Sequence, residues 1–123
     1  MMVRPLVVSS MIALAGFGLP VQAADAARGG ELYESRCFGC HSLDANRIGP
    51  MHRGVFGRKA GSVADFAYSA AVKNAAVVWD EATLDRWLAN TQAVIPGTRM
   101  NFRVANAEDR ADIIAYLKKE SGK

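Results

Sequence analysis

The chain has 123 residues, of which 50% are hydrophobic, 22% charged and 8% aromatic. This length predicts one domain, because single cores are typically built from about 100–150 residues, and the composition excludes a disordered or low-complexity chain. Lys and Arg outnumber Asp and Glu by 15 to 12 and are scattered along the chain, which argues against a nucleic-acid-binding surface.

The N-terminal segment has the three-part pattern of a secretory signal peptide. Arg4 gives a positively charged start, residues 6–19 carry no charge, and Val21-Gln22-Ala23 places small residues where a signal peptidase cleaves. The uncharged stretch is shorter than the roughly 20 residues of a membrane-spanning helix. A retained membrane anchor is therefore the less favoured alternative.

These features predict a cleaved signal peptide at residues 1–23, with Ala24 and Ala26 as alternative cleavage positions. Residues 24–123 would then form the mature domain. In a bacterium the exported domain would reach the periplasm, an oxidising compartment.

The mature part has helical patterns and no convincing strand, which predicts an all-α domain. The glycines between residues 42 and 64 recur too often for a regular element, so this segment is predicted as a loop. Four helical segments are predicted from N-caps, apolar spacing and stop signals: from Asp25 to about Arg36, from Phe66 to Asn74, from Asp80 to the stop at Pro96-Gly97, and from Asn106 through Lys118-Lys119.

The chain has two cysteines, in the sequence Cys37-Phe38-Gly39-Cys40-His41. This is the attachment pattern of c-type haem: two thiols at this spacing can add to the two vinyl groups of a porphyrin, and the adjacent imidazole can bind the iron. A disulfide or thioredoxin-like couple is the first alternative, but that motif follows a strand. Half of a zinc site is the second, but the chain has no other cysteine and only one other histidine, His52.

The sixth iron ligand has three candidates outside the predicted signal peptide. His52 lies in the glycine-rich loop beside Arg53, and we interpret it as a plain surface histidine. Met51 fits a core or exposed loop residue. Met100 follows the stiff stretch Pro96-Gly97-Thr98-Arg99, which suits a residue held against a cofactor, although a buried methionine is usually core packing. A thioether ligand would favour ferrous iron and raise the reduction potential.

Taken together, these segments resemble class I cytochromes c, the monohaem type of bacterial periplasms and mitochondria. The resemblance covers nearly all of residues 24–123, and it implies a small all-α fold of about four or five helices and long loops around one covalent haem. The matching segments are Cys37-Phe38-Gly39-Cys40-His41, Gly49-Pro50, Gly54-Val55-Phe56-Gly57-Arg58-Lys59, Phe66-Ala67-Tyr68-Ser69, Trp79, Ile95-Pro96-Gly97-Thr98-Arg99-Met100-Asn101-Phe102 and Asp112-Ile113-Ile114-Ala115-Tyr116-Leu117-Lys118.

The resemblance implies a role for individual residues. His41 and Met100 match the two axial iron ligands, and Cys37 and Cys40 match the attachment sites of a single haem c. Further matched positions are Pro50, whose carbonyl accepts the imidazole N–H, the propionate contacts Arg58, Tyr68, Trp79 and Thr98, and the crossing of the first and last helices at Gly29, Tyr33, Ile113 and Tyr116. One departure is Trp87, which stands where many relatives have a tyrosine that bonds the methionine sulfur.

The function implied is that of a soluble, monomeric one-electron carrier rather than an enzyme, because two protein ligands leave substrate no place on the iron. Its expected partners are a membrane cytochrome bc complex and a terminal oxidase or reductase, bound transiently without membrane insertion and without nucleic acid. Arg36 and Arg99 are the clearest positive charges for docking. The alternatives are a haem protein with a labile sixth site, gas-binding or peroxidase-like, and a haem subunit of a larger redox enzyme.

Overall fold

A computed structural model describes residues 12–19 and 22–123. Within these residues the chain forms five helices: α1 Ala26–Arg36, α2 Ala70–Lys73, α3 Glu81–Ala89, α4 Thr91–Val94 and α5 Ala107–Glu120. The β structure of the described part is a single isolated bridge between Lys59 and Val78. The all-α prediction is thus confirmed.

The predicted signal peptide falls partly on residues 1–11, 20 and 21, which lie outside the described residues. Cleavage of residues 1–23 therefore stays a prediction. Among the described residues, no helix is both long enough and apolar enough to cross a membrane.

The three predicted N-caps Asp25, Asp80 and Asn106 are all confirmed. Each has an extended backbone, and each side chain accepts a hydrogen bond from the backbone N–H three residues later. These bonds satisfy N–H groups that have no partner inside the helix. The starts of α1, α3 and α5 therefore follow from local chemistry.

Two predicted helix extents were wrong. The segment predicted at 66–74 is helical only over Ala70–Lys73, because Ser69 is extended and caps the helix through its hydroxyl. The helix that starts after Asp80 ends at Ala89 and not at Pro96-Gly97. At that point Asn90 becomes extended and its side chain caps the next short helix, α4.

The α1 and α5 helices cross at close range, as the resemblance implied. A Cβ on Gly29 would overlap the backbone carbonyl of Asp112, so only glycine allows this approach. The rings of Tyr33 and Tyr116 lie 5.4 Å apart beside the crossing, and Ile113 is fully buried.

An ion-pair network joins the same two helices. The Arg28 guanidinium contacts Asp109 at 2.5 Å and Asp112 at 2.6 Å, and Arg36 contacts Asp109 at 3.1 Å. Asp112 also accepts a hydrogen bond from the backbone N–H of Asp25 at 2.8 Å. Both carboxylates are buried, so these partners supply the contacts that burial removes from water.

A single hydrophobic cluster fills the interior and joins helices to loops. Its buried members are Tyr33, Val55, Ala60, Trp79, Leu84, Trp87, Leu88, Ile95, Val104, Ile113, Ile114 and Leu117. Partly buried side chains pack around it, and they include Cys37 and Met100. Cys37 and Met100, which are far apart in sequence, thus pack against one core.

Candidate haem site

The attachment motif forms a tight turn at the C-terminal end of α1. Cys37 caps the helix and donates its N–H to the carbonyl of Tyr33 at 2.8 Å, and the N–H of His41 donates back to the carbonyl of Cys37 at 2.8 Å. Cys37 is half-buried and Cys40 exposed, and both are free thiols. The turn therefore presents two thiols and an imidazole from one compact unit.

The thiol of Cys37 does not have the properties of a redox-active couple. Burial raises its pKa to about 11, so the thiol stays protonated at neutral pH. Reactive CxxC couples instead depend on a lowered thiol pKa. The thioredoxin-like alternative is disfavoured on this ground.

The imidazole of His41 is oriented for ligation. It is 7% exposed, and its Nδ1 lies 2.8 Å from the carbonyl oxygen of Pro50. Because a carbonyl only accepts, Nδ1 carries the proton and Nε2 keeps its lone pair. Burial lowers the pKa of His41, which favours the neutral form that binds iron. The contact implied for Pro50 is confirmed, and it is the kind of bond that fixes a ligand ring.

Gly49 leaves the space that this ring occupies. A Cβ at Gly49 would overlap the imidazole of His41. The backbone N–H of Gly49 donates to the carbonyl of Cys40 at 2.9 Å, which ties the glycine to the motif. The sequence matched Gly49 to the family, and the structure adds the steric reason for it.

His52 is not the surface residue that its sequence context predicted. Its ring is half-buried, stacks on His41 with centroids 3.9 Å apart and planes 18° apart, and shares a 3.0 Å hydrogen bond with the hydroxyl of Tyr33. Burial, together with the neighbouring His41, lowers the pKa of His52 well below its usual value. No periodicity around His52 signals this placement, because the residue lies in an irregular loop.

The same stacking excludes His52 as the partner ligand of His41. Ligands on opposite faces of one porphyrin point their donor atoms at each other through the iron. The two imidazoles instead stack face to face with nearly parallel planes, so their donor atoms do not point at each other. A second protein ligand to the iron would therefore come from another part of the chain.

Met100 lies in the loop between α4 and α5, apart from the attachment turn. Its side chain is half-buried and packs against the hydrophobic cluster. Its carbonyl accepts from the Thr91 hydroxyl at 2.6 Å, and its N–H donates to the Thr98 hydroxyl at 3.3 Å. The backbone of Met100 is therefore fixed on both sides, while its role as a ligand stays a prediction.

Two of the residues matched to propionate contacts are brought together. The backbone N–H of Trp79 donates to the backbone carbonyl of Arg58 at 2.9 Å. The Arg58 guanidinium is half-buried, and burial lowers its pKa. An arginine that has lost part of its hydration is stabilised by a nearby carboxylate, which fits a haem propionate. Tyr68 instead accepts a hydrogen bond from the N–H of Val63 at 3.0 Å.

The matched Thr98 and the departure Trp87 are both buried. Thr98 is buried beside the Met100 backbone. Trp87 is buried, and its ring lies 5.1 Å from that of Trp79 at 56°. The two free thiols and the oriented neutral imidazole are the donor set of a covalently attached haem, and the poorly hydrated Arg58 suits one of its carboxylates.

Comparison with known proteins agrees with this chemistry. The family model for cytochrome c matches residues 26–121. The chain is 43% identical over 119 residues to cytochrome c2 of Rhodomicrobium vannielii, covering 90% of this chain and 95% of that protein. It is 44% identical over 106 residues to cytochrome c 2.1 of Caenorhabditis elegans, covering 84% and 96%. Among solved structures, cytochrome cH from Methylobacterium extorquens gives a TM-score of 0.74 at 41% identity, over 78% of this chain and 99% of that one.

The chain belongs to the cytochrome c family. It is a class I monohaem cytochrome c that carries one covalent haem c, and its activity is electron transfer rather than enzymatic catalysis. The family, the fold, the cofactor and the general activity predicted from the sequence are thereby confirmed.

Proposed function

We propose that the mature chain is a periplasmic one-electron carrier whose haem iron is bound by His41 and Met100. The haem, attached through Cys37 and Cys40, supplies a reversible ferric–ferrous couple when bound. The observation that carries the proposal is the oriented imidazole of His41, with its Nδ1 bonded to Pro50 at 2.8 Å. The bond leaves Nε2 as the donor atom and limits rotation of the ring.

Met100 is favoured as the second ligand by its chemistry and its setting. Outside residues 1–23 the sequence has two methionines, Met51 and Met100. Met51 lies next to His52, which is stacked on the His41 ring. The backbone of Met51 therefore runs on the His41 side of the site. Met100 belongs to a separate loop that packs on the same core. A neutral thioether there favours the reduced state and raises the potential.

Exposed apolar side chains support brief contacts with redox partners. Phe38, between the two cysteines, is 54% exposed, and Phe102, two residues after Met100, is 39% exposed. Apolar centres of this kind are typical of protein interfaces. We propose that the carrier docks transiently on a membrane cytochrome bc complex and on a terminal oxidase or reductase.

The charges available for docking differ from those expected. Arg36 contacts Asp109 at 3.1 Å, so much of its charge is balanced within the protein. Arg99 is exposed and donates to the carbonyl of Ala67 at 3.1 Å, an uncharged partner. We propose Arg99 as the stronger docking charge. At low ionic strength, Arg99→Gln should lower the rate of reaction with a bc complex more than Arg36→Gln does.

A matched pair of variants tests the ligand assignment. Met100→Ala is expected to abolish the red charge-transfer band that methionine sulfur gives to ferric haem and to let the reduced protein bind carbon monoxide. Met51→Ala is expected to retain the band and to exclude carbon monoxide. The assignment is wrong if Met100→Ala keeps the band, and carbon monoxide binding by the unaltered protein would favour a gas-binding or peroxidase-like role.

The export proposal has its own test. Expression in a bacterial host with a haem attachment system, followed by intact-mass measurement of the periplasmic protein, should give residues 24–123 plus one haem. A mass that retains residues 1–23 would mean that the segment is an uncleaved anchor.

A further inference from the structure

We propose that Thr91 and Gln92, the first two residues of α4, form a polar clamp that holds the loop 96–101 closed over the sixth iron position. In this account Gln92 is a positioning residue, since it acts on the iron only through Met100. The inference rests on the proposed ligation by Met100, and it adds what controls the release of that ligand.

Gln92 uses both ends of its amide on the loop. Its Nε2 donates to the carbonyl of Thr98 at 2.9 Å and to the Oδ1 of Asn101 at 2.8 Å. Its Oε1 accepts from the N–H of Gly97 at 2.9 Å. One side chain thus contacts the loop before and after Met100.

Thr91 holds the loop at Met100 itself. Its side chain is buried, with the residue 4% exposed, and its hydroxyl donates to the carbonyl of Met100 at 2.6 Å. The N–H of Met100 donates to the hydroxyl of Thr98. Both backbone polar groups of the ligand residue are therefore bonded to threonine hydroxyls.

The loop has few other restraints within the described structure. It is irregular and turns at Gly97, which has a φ of +90°. Its backbone is closed by one turn bond, from the N–H of Thr98 to the carbonyl of Ile95 at 3.1 Å. Because no helix or strand ladder passes through the loop, the side chains of α4 supply a large share of its hydrogen bonds.

Opening of this loop would separate the Met100 sulfur from the iron. A local opening of this kind costs less than global unfolding, and its cost is set by the contacts that the segment makes. An external ligand that needs the open state binds with an apparent affinity proportional to the open fraction. The clamp therefore keeps Met100 on the iron. Its removal should expose the iron without unfolding the domain.

Imidazole binding to the ferric holoprotein is the measurement that tests the clamp. For Gln92→Ala we expect an apparent affinity about tenfold higher than for the unaltered protein, since several neutral hydrogen bonds are lost together. Gln92→Glu loses both donated bonds and should also bind imidazole more tightly. Thr91→Val should do the same, and Thr91→Ser, which keeps the hydroxyl, should bind like the unaltered protein.

The matched control is Asn106→Ala, which removes the cap of α5 and leaves the loop contacts in place. It should lower the midpoint of guanidinium unfolding while changing imidazole affinity less than twofold. Unchanged affinity in Gln92→Ala, or an equal rise in Asn106→Ala, would overturn the clamp. If the unaltered ferric protein lacks the methionine band, the ligation proposal fails and the clamp fails with it; a normal band together with an inert Gln92 overturns the clamp alone.

Discussion

The crossing of α1 and α5 and the loop that carries Met100 are held in place by different interactions. At the crossing, two helix backbones meet at Gly29, apolar residues are fully buried, and Arg28 bridges two buried carboxylates. In the loop, hydrogen bonds from Thr91 and Gln92 replace any regular backbone ladder. Dense packing costs far more to disrupt than a few neutral hydrogen bonds.

Stability and ligation should therefore be separable in this molecule. The crossing contributes to the free energy of global unfolding. In the proposed ligation, the Met100 loop and the turn around His41 decide what the iron contacts. Variants at the crossing should change stability and leave the haem spectrum unaltered, whereas variants at the site should change the spectrum whether or not they also change stability.

The largest expected effect is at the crossing. Gly29→Ala places a methyl group on the Asp112 carbonyl, so the helices must move apart, and we expect a loss of about 3 kcal/mol in the free energy of unfolding. The neighbouring Gly30→Ala is the control. Its Cβ would meet the edge of the Tyr116 side chain at 3.2 Å, whereas that of Gly29 would overlap backbone. That variant should stay within about 1 kcal/mol of the unaltered protein. Equal losses in guanidinium unfolding would contradict the packing account.

Gly49→Ala tests the site around His41 and should change both stability and the haem spectrum. The added methyl overlaps the imidazole of His41 and displaces the ring from the Pro50 carbonyl, with an expected loss of about 2 kcal/mol. Unlike Gly29→Ala, it should also shift the haem spectrum toward a high-spin form, because the displaced His41 imidazole would bind the iron less strongly. A Gly49→Ala protein with an unchanged spectrum and potential would mean that the ring is placed by other contacts.

Asp112→Asn tests the crossing through the pH dependence of its stability. The hydrogen bond from the Asp25 N–H and the contact with Arg28 hold the pKa of Asp112 below its ordinary value, so its stabilisation is complete above about pH 4 and falls as the pH drops through the folded-state pKa. We expect a loss of about 2 kcal/mol at pH 7. The gap to the unaltered protein should close below pH 4. A gap independent of pH would show that the charge of Asp112 is not what stabilises the crossing.

The smallest effect belongs to a helix end. Asn106→Ala removes the side chain that accepts from the Asp109 N–H at 2.9 Å, and we expect a loss of about 1 kcal/mol. Asn106→Asp should retain the stability, since a carboxylate at a helix N-terminus also caps. Thermal unfolding followed by circular dichroism distinguishes the two variants, and a neutral Asn106→Ala would mean that the cap is replaced by water.

Local signals made much of this fold predictable. The N-caps at Asp25, Asp80 and Asn106 and the attachment motif act over a few residues, so the sequence displays them directly. The extent of α3 was wrong because the prediction relied on the proline stop and overlooked Asn90, which has the residue type of an N-cap. The helix predicted from Phe66 was wrong because Ser69 begins it later.

The environment of the site was less predictable. The prediction of His52 as a surface residue was wrong, because the loop around it has no periodicity and its contacts with His41 and Tyr33 are tertiary. The contacts of Gln92 with the Met100 loop depend on the break between α3 and α4, which the sequence analysis missed. The predicted haem contacts of Arg58 and Trp79 came from family resemblance, since propensities carry no information about a cofactor.

The most direct test of ligation by His41 and Met100 is an optical redox titration of the purified holoprotein, with carbon monoxide added to the reduced form. Ligation by His41 and Met100 predicts one reversible one-electron step at positive potential and a reduced spectrum that carbon monoxide leaves unchanged. A low potential together with a carbon monoxide adduct would contradict the account. It would show that the sixth position is open and that Met100 only packs against the core.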